Sequence, residues 1–467
     1  RRQRQMCIRD RVRRGREHSL SPELEKLLAG TNELADLPYE GFATLGNADL
    51  KFPEITNEKG EKIQITNGRF VPLEESKDRR VRKEVFEKYY ETFGSFKNTW
   101  ATLYAGQVKQ LMFYARARKY SSTLEAAVDG NNVSPEVYKN LVEAVNDNLD
   151  KMHRYVKLRK KLLELDELHM YDIYVPIVKD YDAKYTIDEA KELVLKAVEP
   201  LGTNYVNLIK KAFAERWIDV VENEGKRNGA YSSGVYGVHP FVLLNFNGTL
   251  DNVFTLAHEM GHAMHSYFSN EAQNYLDSRY KIFVAEVAST TNEVLLMEYM
   301  LKNAKDNKER AYLLNHYMDS FKGTVFRQTM FAEFEKTSNE MAERGEPLTH
   351  ENLTELYLNL NKKYYGEAMI SDDLIGYEWM RIPHFYYNFY VYQYATGFSA
   401  AVAIANRVLK EGETAVSDYM KFLQSGCTKD PVSLLRIAGV DMATKEPINS
   451  ALQVFERVIE EMEELTK

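Results

Sequence analysis

Cysteine is almost absent: Cys7 and Cys427 are the only two in 467 residues, which excludes a disulfide framework and points to a reducing compartment, cytoplasmic by default. Proline and glycine are sparse, 12 and 24, so the chain lacks the punctuation of a turn-rich barrel or sandwich and suits long helices. No apolar run approaches the roughly 18 residues that span a bilayer, and no apolar stretch follows the N-terminal arginines as a secretory leader requires. A membrane is therefore not an expected partner. Excess positive charge is lacking too. With 61 Lys and Arg against 69 Asp and Glu the net charge is −8, and without a global positive field nucleic acid is a poor partner. What remains is ordinary globular usage, 44% hydrophobic and 28% charged, in a length that allows two or three domains or one large multi-lobed one. Tyrosine alone is in surplus, 31 against 22 Phe and 3 Trp.

The arginine-rich residues 1–14 have no hydrophobic periodicity and are read as a non-native arm, resembling translated adapter sequence, rather than a nucleic-acid-binding tail. Helical signals dominate after it. Ser21-Pro22-Glu23 offers an N-cap, a proline at the first helical position and an acidic first turn, and Ser134-Pro135-Glu136 repeats the device. Residues 79–118 and 135–166 read as long surface helices from their 3.6-residue period and charged outer faces. One early segment differs: residues 52–56 and 62–66 alternate around Asn57-Glu58-Lys59-Gly60 and predict a small β-hairpin. A flexible stretch over residues 226–234 then leads into a β-like run, Pro240-Phe241-Val242-Leu243-Leu244-Asn245-Phe246.

Three of the ten histidines fall in Thr255-Leu256-Ala257-His258-Glu259-Met260-Gly261-His262-Ala263-Met264-His265. In a helix His258 and His262 project from one face and can take two corners of a zinc tetrahedron. Glu259, roughly 100° round the helix, can reach a metal-activated water without ligating the metal. The surrounding residues are apolar on most sides, so these histidines need partners, and a metal supplies one. A third ligand is expected on a second helix over residues 281–303. There Glu286 interrupts an apolar run and is preferred as the ligand, with Glu293 on the same face accepting from a ligating imidazole. The reverse assignment, Glu293 as ligand and Glu286 in a salt bridge, stays open. His265, one turn beyond His262, is expected to support the ligands beside Glu293.

At these residues the chain resembles the M3 family of zinc oligopeptidases, most closely its oligoendopeptidase F branch. The segment from His258 to His265 resembles the family's extended zinc motif, and Ala285-Glu286-Val287-Ala288-Ser289-Thr290-Thr291-Asn292-Glu293 its third-ligand segment. Pro383-His384-Phe385-Tyr386-Tyr387-Asn388-Phe389-Tyr390-Val391-Tyr392-Gln393-Tyr394-Ala395-Thr396-Gly397 is similar to the branch's substrate-side helix. The resemblance implies a mostly α, zincin-like helical clam-shell, with a deep channel and a small β-sheet beside the motif helix. It implies one Zn2+ per chain on His258, His262 and Glu286, Glu259 as general base, and His384, Tyr387 and Tyr394 on the oxyanion or scissile carbonyl. Tyr386, Tyr390 and Tyr392 are expected to be structural. Substrate backbone is expected along Gly229, Ala230, Tyr231, Leu243 and Asn245, adding as a strand to residues 241–245.

The domain reading that follows takes residues 15–70 as the remnant of an N-terminal helical domain carrying the hairpin. Residues 71–467 are the peptidase domain, with its zinc core over about 215–400, and the chain reads as N-terminally truncated. The expected reaction is endopeptidic hydrolysis of short unfolded oligopeptides by a water that zinc activates and Glu259 deprotonates. A zinc carboxypeptidase of similar build and an inactive peptide-binding fragment are the alternatives.

Overall fold

The computed structural model describes residues 13–178 and 183–467. Most of the expected arm, Cys7 included, lies outside the described residues. The molecule is mostly helical with three small sheets among the described residues. Its contacts group into two compact units built from interleaved segments. The first takes residues up to Gly130, Asn146–Ile177 and Phe326–Tyr392; the second takes Asn131–Val145, Val178–Val325 and Gln393–Lys467. No helix among the described residues is long and apolar enough to cross a membrane.

In the first unit the Ser21 side chain accepts from the Leu24 N–H and Pro22 opens the helix Pro22–Gly30, as its sequence predicts. The hairpin forms with strands Glu54–Thr56 and Lys62–Gln64 and the pair Ile55↔Ile63 at its centre. Asn57 closes the turn by accepting from the Lys59 and Glu61 N–H groups, and Gly60 supplies φ 80°. The single helices expected over residues 79–118 and 135–166 are each two: Arg79–Gly94 with Lys97–Ala117, and Pro135–Asn146 with Leu149–Leu162. They are not simply surface helices, because one face of each is buried: Tyr89, Tyr90, Tyr104 and Tyr155 lie buried in the first unit, and Tyr138, which belongs to the second unit, is buried there.

That packing accounts for much of the tyrosine surplus. A buried phenol contributes a large apolar ring but needs a partner for its hydroxyl. Tyr90 and Tyr357 both donate to Glu378, whose buried carboxylate also takes Arg327 and Arg381. Tyr104 pairs with Ser338 and Tyr364 donates to Glu333.

The second unit contains a three-stranded sheet in which Phe241–Leu243 lies between Ile218–Asp219 (parallel, Ile218↔Val242) and Tyr231–Ser233 (antiparallel, Tyr231↔Leu243). The strand expected to receive substrate is thus the central one, with both of its edges taken. Only the outer edge of Tyr231–Ser233 and that of Ile218–Asp219 meet no further strand among the described residues. After the sheet, Thr249 and Asn252 form a reciprocal cap that starts the motif helix Leu250–Ala272. The helix Ile282–Lys302 crosses it closely: a Cβ on Gly261 would stand 2.5 Å from Ser289 Cα and 2.6 Å from Ala288 O. Only glycine permits that approach.

The helix expected over the segment from His384 to Tyr394 does not form. His384 sits in a 3₁₀ turn, Pro383–Tyr386, and an α-helix starts only at Tyr392 (Tyr392–Glu411). Between them Asn388 and Phe389 take φ 55° and 54°, left-handed values that break the helix.

Candidate active site

The motif helix places His258 and His262 one turn apart on one face, as the four-residue spacing requires. Their Nε2 atoms stand 3.2 Å apart. Glu286, on the crossing helix, brings Oε2 to 3.2 Å from His258 Nε2 and 3.3 Å from His262 Nε2. Two ligand atoms each about 2.0–2.1 Å from one ion at the tetrahedral angle are about 3.3 Å apart, so this triangle has the dimensions of three corners of a zinc-type site. Among the described residues these three are also the one His, Cys, Asp and Glu group close enough to hold a metal.

The electrostatics point the same way. Burial opposes a charge on His258, but its bonds to Glu286 and Glu293 outweigh that and push its pKa up to about 10. Burial likewise opposes the Glu286 carboxylate, yet the two imidazoles hold its pKa well below the usual range. The half-buried cluster therefore favours a positive charge at its centre. A divalent cation would supply it.

Glu293 takes the supporting position. Its Oε1 meets His258 Nδ1, leaving Nε2 to face the triangle and fixing the ring's orientation. The open alternative, Glu293 in the ligand position, does not match this geometry. Glu259 is buried, burial raises its pKa, and its Oε2 has no hydrogen-bond partner among the described residues. A buried carboxylate oxygen without a partner is available to accept a proton.

His265 does not support the ligands. It is buried against Tyr280, rings parallel at 3.8 Å, with Phe422 on its other side. Its Nδ1 is unpartnered and burial lowers its pKa to about 3. Sequence reasoning missed the groups that do the supporting. Ser289 donates to Glu286 Oε2 at 3.1 Å. Asn292, fully buried, donates to the Ala257 carbonyl and accepts from Tyr205, tying the two helices together just before His258. The signal was legible in principle: Ser289-Thr290-Thr291-Asn292 is a polar run between the apolar stretches 282–285 and 294–297 of its helix, and buried polar groups must bond to something.

Tyr394 stands in the first turn of Tyr392–Glu411, three residues before Gly397 and so on the same face. A Cβ on Gly397 would lie 3.9 Å from Glu286 Cβ, so this face runs beside the third ligand. His384 and Tyr387 belong to the first unit, where the exposed Tyr387 meets the Tyr39 hydroxyl at 3.3 Å and the His384 ring at 5.4 Å. Tyr386 and Tyr392 are buried.

Of the expected backbone contacts, Gly229 and Ala230 line a cleft of about 280 Å³ together with Leu244, Asn245, Asn252 and Thr255. Leu243 is in the central strand. The Asn245 amide is already engaged, donating to the Arg227 and Gly229 carbonyls at 2.9 and 2.8 Å. It holds the loop in front of the strand.

Known proteins resemble this chain over nearly its whole length. The pattern of peptidase family M3 fits residues 72–454, and that of oligopeptidase F fits residues 10–52. Oligopeptidase PepF of Bacillus subtilis is 52% identical across 98% of this chain and 68% of its own. Group B oligopeptidase PepB of Streptococcus agalactiae is 45% identical across 98% and 76%. The crystal structure of oligoendopeptidase-F from Enterococcus faecium superposes with a TM-score of 0.83 at 42% identity, across 99% of this chain and 78% of that one.

Proposed function

This chain belongs to peptidase family M3 and is a metallo-oligopeptidase acting within peptide chains; on that premise we propose that its metal is zinc, one ion on His258, His262 and Glu286. The observation that carries the assignment is the triangle of Nε2, Nε2 and Oε2 atoms at 3.2, 3.2 and 3.3 Å. Bound there, zinc would supply an acidified water and polarise a peptide carbonyl.

The chain's own groups do the rest. Glu259 accepts the water's proton at Oε2 and passes it to the departing amine. Its raised pKa brings the carboxyl closer to neutrality, which suits a group that must both take and give. Tyr394, on the helix face beside Glu286, donates from its phenol to the developing oxyanion, and His384 and Tyr387 are assigned to the same task by resemblance. Such a donor contributes about 3 kcal/mol to the transition state.

Substrate backbone adds to the open edge of Tyr231–Ser233 and its lead-in, Gly229 and Ala230, because the inner strand has no free edge. Main-chain pairing tolerates many side chains, so oligopeptides of varied sequence are the substrates. The assignment of residues 15–70 to an N-terminal helical domain and of 71–467 to the peptidase domain is part of this reading, supported by the gap between the two matched spans.

The test is zinc content together with digestion of a peptide blocked at both ends, with and without chelator. One zinc per chain and internal cleavage that stops on chelation are expected. Stepwise loss of residues from a free C-terminus, with the blocked peptide untouched, would replace this reading with a carboxypeptidase.

A further inference from the structure

Glu335 lies in the first unit, on the helix Arg327–Glu343, and its side chain is 1% exposed. It makes one hydrogen bond: Oε1 accepts from the backbone N–H of Phe389 at 2.7 Å. Its Oε2 is buried with no partner among the described residues. No Arg or Lys faces it in the described structure. The titratable side chain that feels its charge is Tyr104, from the helix Lys97–Ala117, whose hydroxyl is engaged by Ser338.

The group it holds is unusual. Phe389 and the preceding Asn388 take φ 54° and 55°, and two successive non-glycine residues in the left-handed region persist only where their surroundings enforce it. Asn388 is exposed and its side chain enforces nothing in view, whereas Phe389 is buried and its N–H points at the carboxylate. A chain needing only a bend here would place glycine at either position. Instead it spends a buried carboxylate, with one oxygen unsatisfied, on holding the bend. The bend follows His384 and Tyr387 directly in the chain.

We infer that Glu335 is a positioning residue for catalysis, latching the left-handed turn at Asn388 and Phe389 so that the segment carrying His384 and Tyr387 is held in its working pose. This rests on the reading above in which that segment serves the transition state. Burial pushes the Glu335 carboxyl up to about 8, so the latch changes from a neutral to a charged acceptor within the range where peptidases are assayed, and a charged acceptor holds an N–H more strongly.

The test measures kcat and KM on an internally quenched peptide, with thermal unfolding alongside, for E335A and E335Q. Misplacement of catalytic groups by an ångström costs about a hundredfold, so E335A is expected to lose about that much kcat with KM changed less than about threefold. E335Q retains an oxygen for the Phe389 N–H and is expected to recover to within about fivefold at pH 7 on the same argument. The ratio of parent to E335Q kcat should be flat below pH 7 and rise severalfold through about 8, since other ionisations are common to both and cancel. A folded E335A with parental kcat, or a flat ratio from pH 6 to 10, overturns the inference. Should E335A not fold, the E335Q profile decides alone. Y387F and H384Q separate the two layers: if neither lowers kcat, the segment is not catalytic and the inference falls with it. If they lower kcat while both Glu335 variants do not, only the latch is wrong.

Discussion

Within the motif helix, side chains four residues apart share one duty and the neighbour of the first has another. His258 and His262 keep their Nε2 atoms toward one point, and Glu259 keeps a free oxygen beside it. Glu259→Gln is expected to retain zinc, measured by metal analysis, and to lose at least about a thousandfold in hydrolysis, since a neutral amide cannot take the proton. Glu286→Ala removes one corner of the triangle and should leave less than a tenth of the zinc after dialysis, whereas Glu293→Ala should weaken binding by about 10–100-fold. Stoichiometric zinc in Glu286→Ala would move the ligand role to Glu293.

His265 answers to pH instead. Its folded pKa of about 3 lies below the unfolded value of about 6.5, so the unfolded chain binds more protons between the two. Its stabilising contribution is present above about pH 6.5 and lost as pH falls toward 3. His265→Phe, which can keep the stack on Tyr280 without a protonatable group, should shift acid unfolding to lower pH by circular dichroism. Glu335 has the reverse sign: its raised pKa costs stability as pH rises from about 4.5 through about 8.

Pairs of elements set the geometry that single residues exploit. The crossing of Leu250–Ala272 over Ile282–Lys302 at Gly261 brings Glu286 to the histidines, because a closer approach than side chains allow is needed to close the triangle. Gly261→Ala should force the helices apart, costing about 1–3 kcal/mol or more as an overpacked contact. It should weaken zinc binding in a titration while leaving all three ligands in place. Asn292 works at the same crossing, through the Ala257 carbonyl. The sheet shows the same dependence on pairing. Residues 241–245 look in isolation like an open strand, and only the presence of Ile218–Asp219 on one side and Tyr231–Ser233 on the other removes its edges.

For the molecule as a whole, all three proposed metal ligands fall in the second unit, although that unit is assembled from three stretches of chain. A ligand that binds only the folded form stabilises it by mass action. Chelation should therefore lower the unfolding temperature and raise amide exchange first in Leu250–Ala272 and Ile282–Lys302, with Arg79–Gly94 and Lys97–Ala117 following only on global unfolding. Equal early increases in all four helices would mean that the metal supports both units alike.

Helix class, the capped starts at Ser21 and Ser134, the hairpin turn at Asn57 and the pairing of His258 with His262 were all legible in the chain, and the physics is local. Periodicity, capping and a four-residue spacing act over one or two turns. Other features waited for the fold: the choice of Glu286 over Glu293, the withdrawal of His265 into an aromatic stack, the closed edges of Phe241–Leu243, and the left-handed break at Asn388 and Phe389 under Glu335. Each depends on what a distant segment places opposite, a helix, a ring, a strand or a buried carboxylate. A side chain's intrinsic preference carries no information about which partner arrives there. The surplus of tyrosine belongs to both: composition announced it, but only the packing around Glu378, Ser338 and Glu333 gave those phenols partners.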